Sequence, residues 1–424
     1  HLETQRRLQR RRKVQMTNNS LFDRCRTNTN IDNDVFVGIR RKDDYYEVNF
    51  PLGYHRSEDE KGLRKDILSL INVLAKNTDK KESEIYVGLN QDDPAGIPVQ
   101  AYLYLIKDFF ERGYYKERDT YRQIAKRGKI DWSRTIKTQK PLLQDNEAYY
   151  LNFVVKKNTI NEDELITIVH KYCVYESFDK FGWLFTSFVP PEPKTGLTKK
   201  MMLSVVNDKL QNTFNDRNKQ LFKNMIAVIK AMKDDADSEF RYGTYRFEYV
   251  WEKMIDRVFG IAEKEEYFPK TTWNLEDGRE HDNAFLEPDT IMLLNEKVYV
   301  LDAKYYKFGW SGMPGHLPES TSINKQITYG EYIAEERQFM KDGDHPVVYN
   351  AFIMPYDSKG KKFPTGSPIH YIGTATSDWK GGDKKYENVL GILMDVKYLM
   401  GIDSRADEAE IIKLAELIEE NCPV

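Results

Sequence analysis

Three side chains, Asp289, Asp302 and Lys304, stand out as a reactive set. Two carboxylates offer hard oxygen ligands to a divalent cation such as Mg²⁺. A lysine beside them puts an ammonium next to a phosphate or an attacking water. Asp289 follows Glu287-Pro288, and Asp302-Ala303-Lys304 comes thirteen residues later. Between them, Thr290-Ile291-Met292-Leu293-Leu294 and Val298-Tyr299-Val300-Leu301 flank the polar break Asn295-Glu296-Lys297. Two β-prone runs joined in this way read as a β-hairpin. With the turn near Glu296, Asp289 lies almost opposite Asp302, where cross-strand Cβ atoms are ~4.5–5.5 Å apart. Alternation along the strand puts Asp302 and Lys304 on one face and turns Ala303 away. The plainer alternative is a surface hairpin carrying a salt bridge. A second Asp-x-Lys, Asp395-Val396-Lys397, has no Pro-Asp partner upstream and reads as a strand ending in charge.

The hairpin resembles the catalytic core of the PD-(D/E)XK nuclease superfamily. That resemblance implies Mg²⁺ (with Mn²⁺ as a substitute) bound by Asp289, Asp302 and the Ala303 carbonyl, with Lys304 activating water. In such folds a helix ahead of the hairpin often adds a carboxylate. Phe247 to Ile255 reads as an amphipathic helix, with Glu248 and Glu252 one turn apart on a shared face. Glu252 is the favoured ligand of the two, and an exposed pair of helix acids is the alternative. The superfamily also carries a Gln and a Tyr on the helix after the lysine. Gln326 and Tyr329 match that loosely, as lysine-steadying or DNA-contacting groups or as plain core residues. His316 sits in a Gly/Pro-rich loop, but metal-activated water makes a histidine base unnecessary.

Composition narrows the classes. The 424 residues allow two or three domains, and no apolar run is long enough to span a bilayer. With 27 Tyr, 21 Phe and 6 Trp the chain has the means to build packed cores. A net charge of −3 confines any nucleic-acid contact to local basic patches. Cys25, Cys173 and Cys422 are odd in number, far apart and without zinc spacing, which suits a reducing cytosol. No Gly-rich phosphate loop is present, so nucleotide hydrolysis is not expected of this chain.

Along the chain, residues 1–15 read as a basic tail or added leader, with a phosphate-touching arm as the alternative. Val189-Pro190-Pro191-Glu192-Pro193-Lys194-Thr195-Gly196 ends regular structure and places a linker at 191–200. The expected layout is an α+β N-terminal domain over 16–190 and an α/β nuclease domain over 201–424, its mixed central sheet flanked by helices. Met201 to Lys233 reads as helical. Lys126, Arg127, Lys129 and Arg134 surround Trp132, as a contact for phosphate or a protein partner or as a solvated loop.

Longer strings extend the likeness. Phe36-Val37-Gly38-Ile39, Phe50-Pro51-Leu52-Gly53-Tyr54, Leu63-Arg64-Lys65-Asp66-Ile67-Leu68, Gly128-Lys129-Ile130-Asp131-Trp132 and Phe247-Glu248-Tyr249-Val250-Trp251-Glu252-Lys253 resemble the LlaJI-type restriction endonuclease family. Pro288-Asp289 and Asp302-Ala303-Lys304-Tyr305-Tyr306 continue the match, which spans roughly residues 35–400. The family is similar to the nuclease subunit of McrBC-like systems. It implies an endonuclease acting on double-stranded DNA with a separate AAA+ GTPase, residues 16–190 docking on the motor, and pairing of nuclease domains for a double-strand cut. Two rivals remain at this stage: a non-catalytic regulator of the GTPase ring, and a stand-alone RecB-like exonuclease.

Overall fold

The computed structural model describes residues 20–29, 35–42, 45–77, 98–144, 147–161, 164–194, 196–232, 240–283, 285–402 and 408–423. The expected tail over 1–15 lies outside the described residues. Packing divides the chain into two compact units, residues 1–94 with 239–424, and residues 95–238.

The first unit begins with β1 (Cys25–Thr27), β2 (Val37–Lys42), β3 (Tyr45–Phe50) and α1 (Glu60–Lys76). Helix α1 starts where Asp59 accepts a hydrogen bond from the Gly62 amide, and it buries Leu63, Ile67, Leu70, Ile71 and Leu74.

The second unit holds α2 (Val99–Arg112), β4 (Glu117–Ala125), β5 (Lys129–Ile130), α3 (Trp132–Thr138), β6 (Leu142–Gln144), β7 (Glu147–Tyr149), β8 (Phe153–Asn161), α4 (Leu165–Phe181), α5 (Lys199–Asn212) and α6 (Asp216–Ala231). Strands β4 and β8 form a long antiparallel ribbon, with β5 on the other edge of β8. Helices α2, α4, α5 and α6 pack together. The single helical run expected over 201–233 is broken, because Thr213 is extended and Asn215 caps a new helix by accepting from the Asn218 amide.

The chain then returns to the first unit with β9 (Arg241–Thr244), α7 (Phe247–Phe259), β10 (Thr272–Asn274), β11 (Glu280–Asp282), β12 (Thr290–Leu294), β13 (Lys297–Ala303), α8 (Phe308–Ser311), α9 (Ser320–Glu335), β14 (Val347–Tyr356), β15 (Ile369–Ala375), β16 (Val389–Asp395), α10 (Val396–Gly401) and α11 (Glu408–Asn421). The packing division therefore does not fall at 191–200. Strand β9 pairs with β2, giving a sheet of order β1-β3-β2-β9 that joins the early strands to the late half. A β-carbon on Gly38 would lie 2.2 Å from the Tyr242 carbonyl oxygen, so this pairing needs glycine there. A partner two hundred residues away leaves no trace in local periodicity.

The main sheet runs β12-β13-β14-β16-β15. Its outer pairs β12–β13 and β15–β16 are antiparallel, and its inner pairs β13–β14 and β14–β16 are parallel. The layout is α/β with a mixed sheet, and α7, α9 and α11 pack against it. Strand β14 is buried along almost its whole length, as a central parallel strand covered on both faces must be. Ile291, Val298, Val300 and Val348 of the sheet pack with Tyr329 and Ile333 of α9.

Helix α9 approaches β14 closely at Gly330, where a β-carbon would lie 2.5 Å from Asn350 Nδ2 and 2.7 Å from Tyr386 Cβ. Gly330→Ala is expected to cost about 1–3 kcal/mol by overpacking, read as a lower thermal midpoint. An unchanged midpoint would mean that the contact gives way freely.

Asp395 and Lys397 do not form a second reactive pair. Asp395 caps α10 by accepting from the Tyr398 amide, and Lys397 makes a 2.8 Å ion pair with the buried Asp66. Among the described residues no helix is long and apolar enough to cross a membrane.

Candidate active site

The hairpin geometry follows from its turn. Leu294 pairs with Lys297, leaving Asn295 and Glu296 as a two-residue loop with φ of 49° and 62°. Two left-handed residues make the tight turn whose twist matches a hairpin. The register pairs Thr290 with Leu301, so the next step along it sets Asp289 beside Asp302.

Asp289 Oδ2 accepts a 2.9 Å hydrogen bond from the Ala303 amide. Asp302 is buried at 7% exposure, and its Oδ2 lies 2.7 Å from Lys304 Nζ. Burial, and after it the Asp302 charge, pushes the Asp289 carboxyl up to about 8. Burial works against the Lys304 ammonium, but Asp302 and Asp289 outweigh it and hold its pKa above the usual lysine value. Two desolvated carboxylates and one lysine thus share a point on one sheet face.

The sheet fixes that point from below. Lys304 donates its amide to the Ile353 carbonyl at 2.9 Å, and the Trp251 indole donates to the same oxygen at 3.2 Å. Trp251 is fully buried, so it sets the rotation of α7 and the direction of its neighbour Glu252. Burial lifts the Glu252 carboxyl above its ordinary value; Lys304 opposes this and Asp302 adds to it. Glu252 therefore lies within electrostatic reach of the set. Glu248, one turn back, is exposed and pairs with Arg246 at 3.0 Å.

Gln326 and Tyr329 are both buried at 1% exposure. Gln326 Nε2 donates to the Val300 carbonyl at 2.7 Å, and the Tyr329 hydroxyl donates to the Glu287 carbonyl at 3.1 Å. Each grips the backbone two residues before one of the two aspartates. They brace the hairpin. His316 makes a 2.7 Å contact from Nδ1 to Ser311 Oγ, which gives it a local loop role.

Sequence reasoning passed over two supports. Lys264 Nζ donates to the Asp289 carbonyl at 2.6 Å and pairs with Asp256 at 2.9 Å. The Tyr305 hydroxyl accepts from the Leu52 amide at 2.6 Å, and its ring packs on Phe247 and Trp251. The only signal for the second was the Pro51-Leu52-Gly53 turn string, whose Gly53 has φ of 78°.

Among the described residues, no three acid, histidine or cysteine side chains gather tightly enough to cage a metal by themselves. Lys304 holds one oxygen of Asp302, and Glu252 adds charge without closing a cage. The donor set still suits Mg²⁺, which keeps several waters and takes one or two carboxylates together with substrate phosphates.

Lys126, Arg127, Lys129 and Arg134 belong to the second unit, where all four are exposed around the end of the β4–β8 ribbon. Trp132 beside them is 53% exposed. Asp131 takes up Arg122 at 2.8 Å and caps α3.

The profile of the LlaJI restriction endonucleases matches residues 36–376. The chain belongs to the LlaJI restriction endonuclease family. The match takes in the hairpin, Glu252 and the basic ribbon end alike. The chain is 28% identical over 286 residues to the type II restriction enzyme BsuMI component YdjA of Bacillus subtilis (strain 168), covering 61% of this chain and 58% of the relative. It thus spans a little over half the length of that relative. Two solved structures from Thermococcus gammatolerans are also similar. One is a half-complex from a tetradecameric assembly of McrB AAA+ hexamers with bound McrC, at 16% identity, covering 90% of this chain and 83% of that one, with a TM-score of 0.33. The other is the McrBC complex, at 15% identity, covering 53% and 68%, with a TM-score of 0.20. Both structural likenesses are too weak to assign a fold.

Proposed function

We propose that this chain is the Mg²⁺-dependent DNA endonuclease subunit of a restriction system acting against foreign DNA, with a PD-(D/E)XK catalytic hairpin. The observation that carries the reading is the pairing of Asp289 with Asp302 and Lys304 at one half-buried point, inside the span matched by the LlaJI family.

Asp289, Asp302 and the Ala303 carbonyl would hold the cation, with Mn²⁺ as a substitute. When bound, it supplies charge neutralisation at the phosphate and a more acidic water. The chain's own groups do the rest. The Ala303 amide fixes the Asp289 carboxylate in one orientation. Lys304, anchored by Asp302, holds the attacking water and meets the charge that builds on the phosphate oxygens. Asp302 is buried and Asp289 half-buried, which limits screening of these interactions by bulk water. Glu252 lies close enough for Lys304 to oppose the rise that burial gives its carboxyl, which puts it beside the set as a further carboxylate.

The second unit supports a partner-docking role. Its surface exposes Ile124, Trp132, Ile136, Leu143 and Leu151 among basic residues, more apolar area than a solvated ribbon needs. The partner we propose is a McrB-like AAA+ GTPase, in keeping with the family and with a relative named as one component of a restriction enzyme. Pairing of two nuclease units would then complete a double-strand cut.

Supercoiled plasmid incubated with the chain, the motor protein, GTP and Mg²⁺ should be linearised, and EDTA should stop it. Cutting that persists in EDTA contradicts the metal role. Trp132→Glu should leave the melting curve unchanged and weaken co-purification with the motor by about tenfold, the loss of one exposed anchor. Undiminished co-purification would move the docking surface elsewhere.

A further inference from the structure

Helix α9 carries a lysine next to the residues that brace the hairpin. Lys325 is exposed, while its neighbour Gln326 is buried. Several lysines around the sheet are paired with acids, among them Lys264 with Asp256, Lys304 with Asp302, Lys380 with Glu331 and Lys384 with Glu335. Lys325 makes no such ion pair among the described residues. Its Nζ lies 5.4 Å from the centre of the Tyr329 ring, and that ring's hydroxyl is bonded to Glu287.

Gln326 and Tyr329 tie α9 to the backbone two residues before Asp302 and Asp289 respectively. These ties lie one and four residues beyond Lys325, so its place on the helix is fixed relative to both acids. The Tyr329 hydroxyl, and after it Asp302 and Asp289, raise the pKa of Lys325, so both carboxylates are within its electrostatic reach. The same edge exposes a large aromatic. Trp379 is 67% exposed, and its indole donates at 3.0 Å to Asn324, the residue before Lys325. Lys380 lies over the Trp379 ring at 4.5 Å.

A DNA strand approaching two adjacent carboxylates is repelled unless cations offset them. Lys304, paired with Asp302, serves the phosphate that reacts, so a phosphate beside it calls for a second cation. We propose that Lys325 is a substrate-positioning residue that grips a non-bridging phosphate oxygen of the DNA strand as it enters the acid pair. The inference rests on the nuclease reading above. It accounts for an exposed cation on a helix tied to the hairpin beside the site, without an ion pair among the described residues.

The test is the cleavage rate against duplex DNA concentration, with the full chain in its complete restriction system, from about 50 to 200 mM salt. Lys325→Ala should raise the half-saturating DNA concentration about tenfold, the loss of one charge-assisted hydrogen bond. Its maximal rate should change by less than about threefold, and its log–log salt slope should flatten by about one, the signature of one lost phosphate contact. Lys325→Arg should restore most of both, since either side chain can hold a phosphate. An unchanged half-saturating concentration and salt slope would overturn the proposal. So would a lowered melting midpoint in Lys325→Ala with no change in slope, which would make the lysine a prop for Tyr329. Full cutting by a folded Asp289→Ala control would remove the nuclease reading itself, whatever Lys325 does. A dead Asp289→Ala beside a normal Lys325→Ala removes only the phosphate contact.

Discussion

Lys304→Ala is expected to lower DNA cleavage by about 10²–10³-fold or more while leaving the chain folded, as loss of a preorganised charge at a developing anion does. The reason lies in the 2.7 Å pair between Lys304 and Asp302. Removing the ammonium leaves two closely set carboxylates, one buried and one half-buried, facing a phosphate with no protein cation between them. Asp302→Ala should be as severe, because it removes the group that fixes the lysine. Single-turnover rates on closed circular DNA, with circular dichroism as the folding control, decide the matter. Lys304→Arg should not rescue fully, since a planar guanidinium cannot take the place of a compact ammonium. A folded Lys304→Ala that cuts at the normal rate would remove Lys304 from the chemistry.

The second large effect concerns stability. The Asp289 carboxyl is pushed up to about 8, first by burial and then by Asp302. Its folded pKa thus lies above the ordinary unfolded value of about 3.9. Between these values the folded chain binds the proton more tightly than the unfolded chain. Stability from this group is therefore fully present at low pH and falls as pH rises from about 4 to about 8. Asp289→Asn keeps an acceptor for the Ala303 amide and removes the charge. It should stabilise the metal-free chain by at least about 1 kcal/mol at pH 8, since one pKa unit is worth roughly that much. The gain should shrink toward pH 4, and cutting should be lost. Mg²⁺ should raise the melting midpoint of the unaltered chain more at pH 8 than at pH 6, because cation and proton compete for the same oxygens. Chemical denaturation from pH 5 to 9 would show this. A variant no more stable than its parent at pH 8 would mean that Asp289 is already ionised in the fold without strain.

The reactive hairpin was legible because a hairpin is a local object. Asn295-Glu296 between two β-prone runs sets the turn, the turn sets the register, and the register sets Asp289 beside Asp302. The amphipathic stripe of α7 was legible for the same reason. Other features depended on contacts that no window of sequence contains. Glu248 and Glu252 share a helix face, and only the Trp251 bond to Ile353 and the Arg246 pair with Glu248 set them apart. The division of the chain escaped the linker at 191–200 because β9 returns to pair with β2. Asp395 and Lys397 looked like half a motif because capping and a buried ion pair with Asp66 use the same residue types as catalysis. Lys325 was invisible because its place beside the acid pair comes from the ties of Gln326 and Tyr329 to the hairpin backbone, which spacing does not encode.

The most direct test of the central claim is the cleavage of methylated and unmethylated closed circular DNA with Mg²⁺, with and without the AAA+ GTPase, by the unaltered chain and by Asp302→Ala. Cutting that needs both the motor and Asp302 is the expected result. Cutting by a folded Asp302→Ala at the normal rate, or no cutting by the unaltered chain while GTPase stimulation survives in the variant, would contradict it and leave the chain a regulator built on a nuclease-like hairpin.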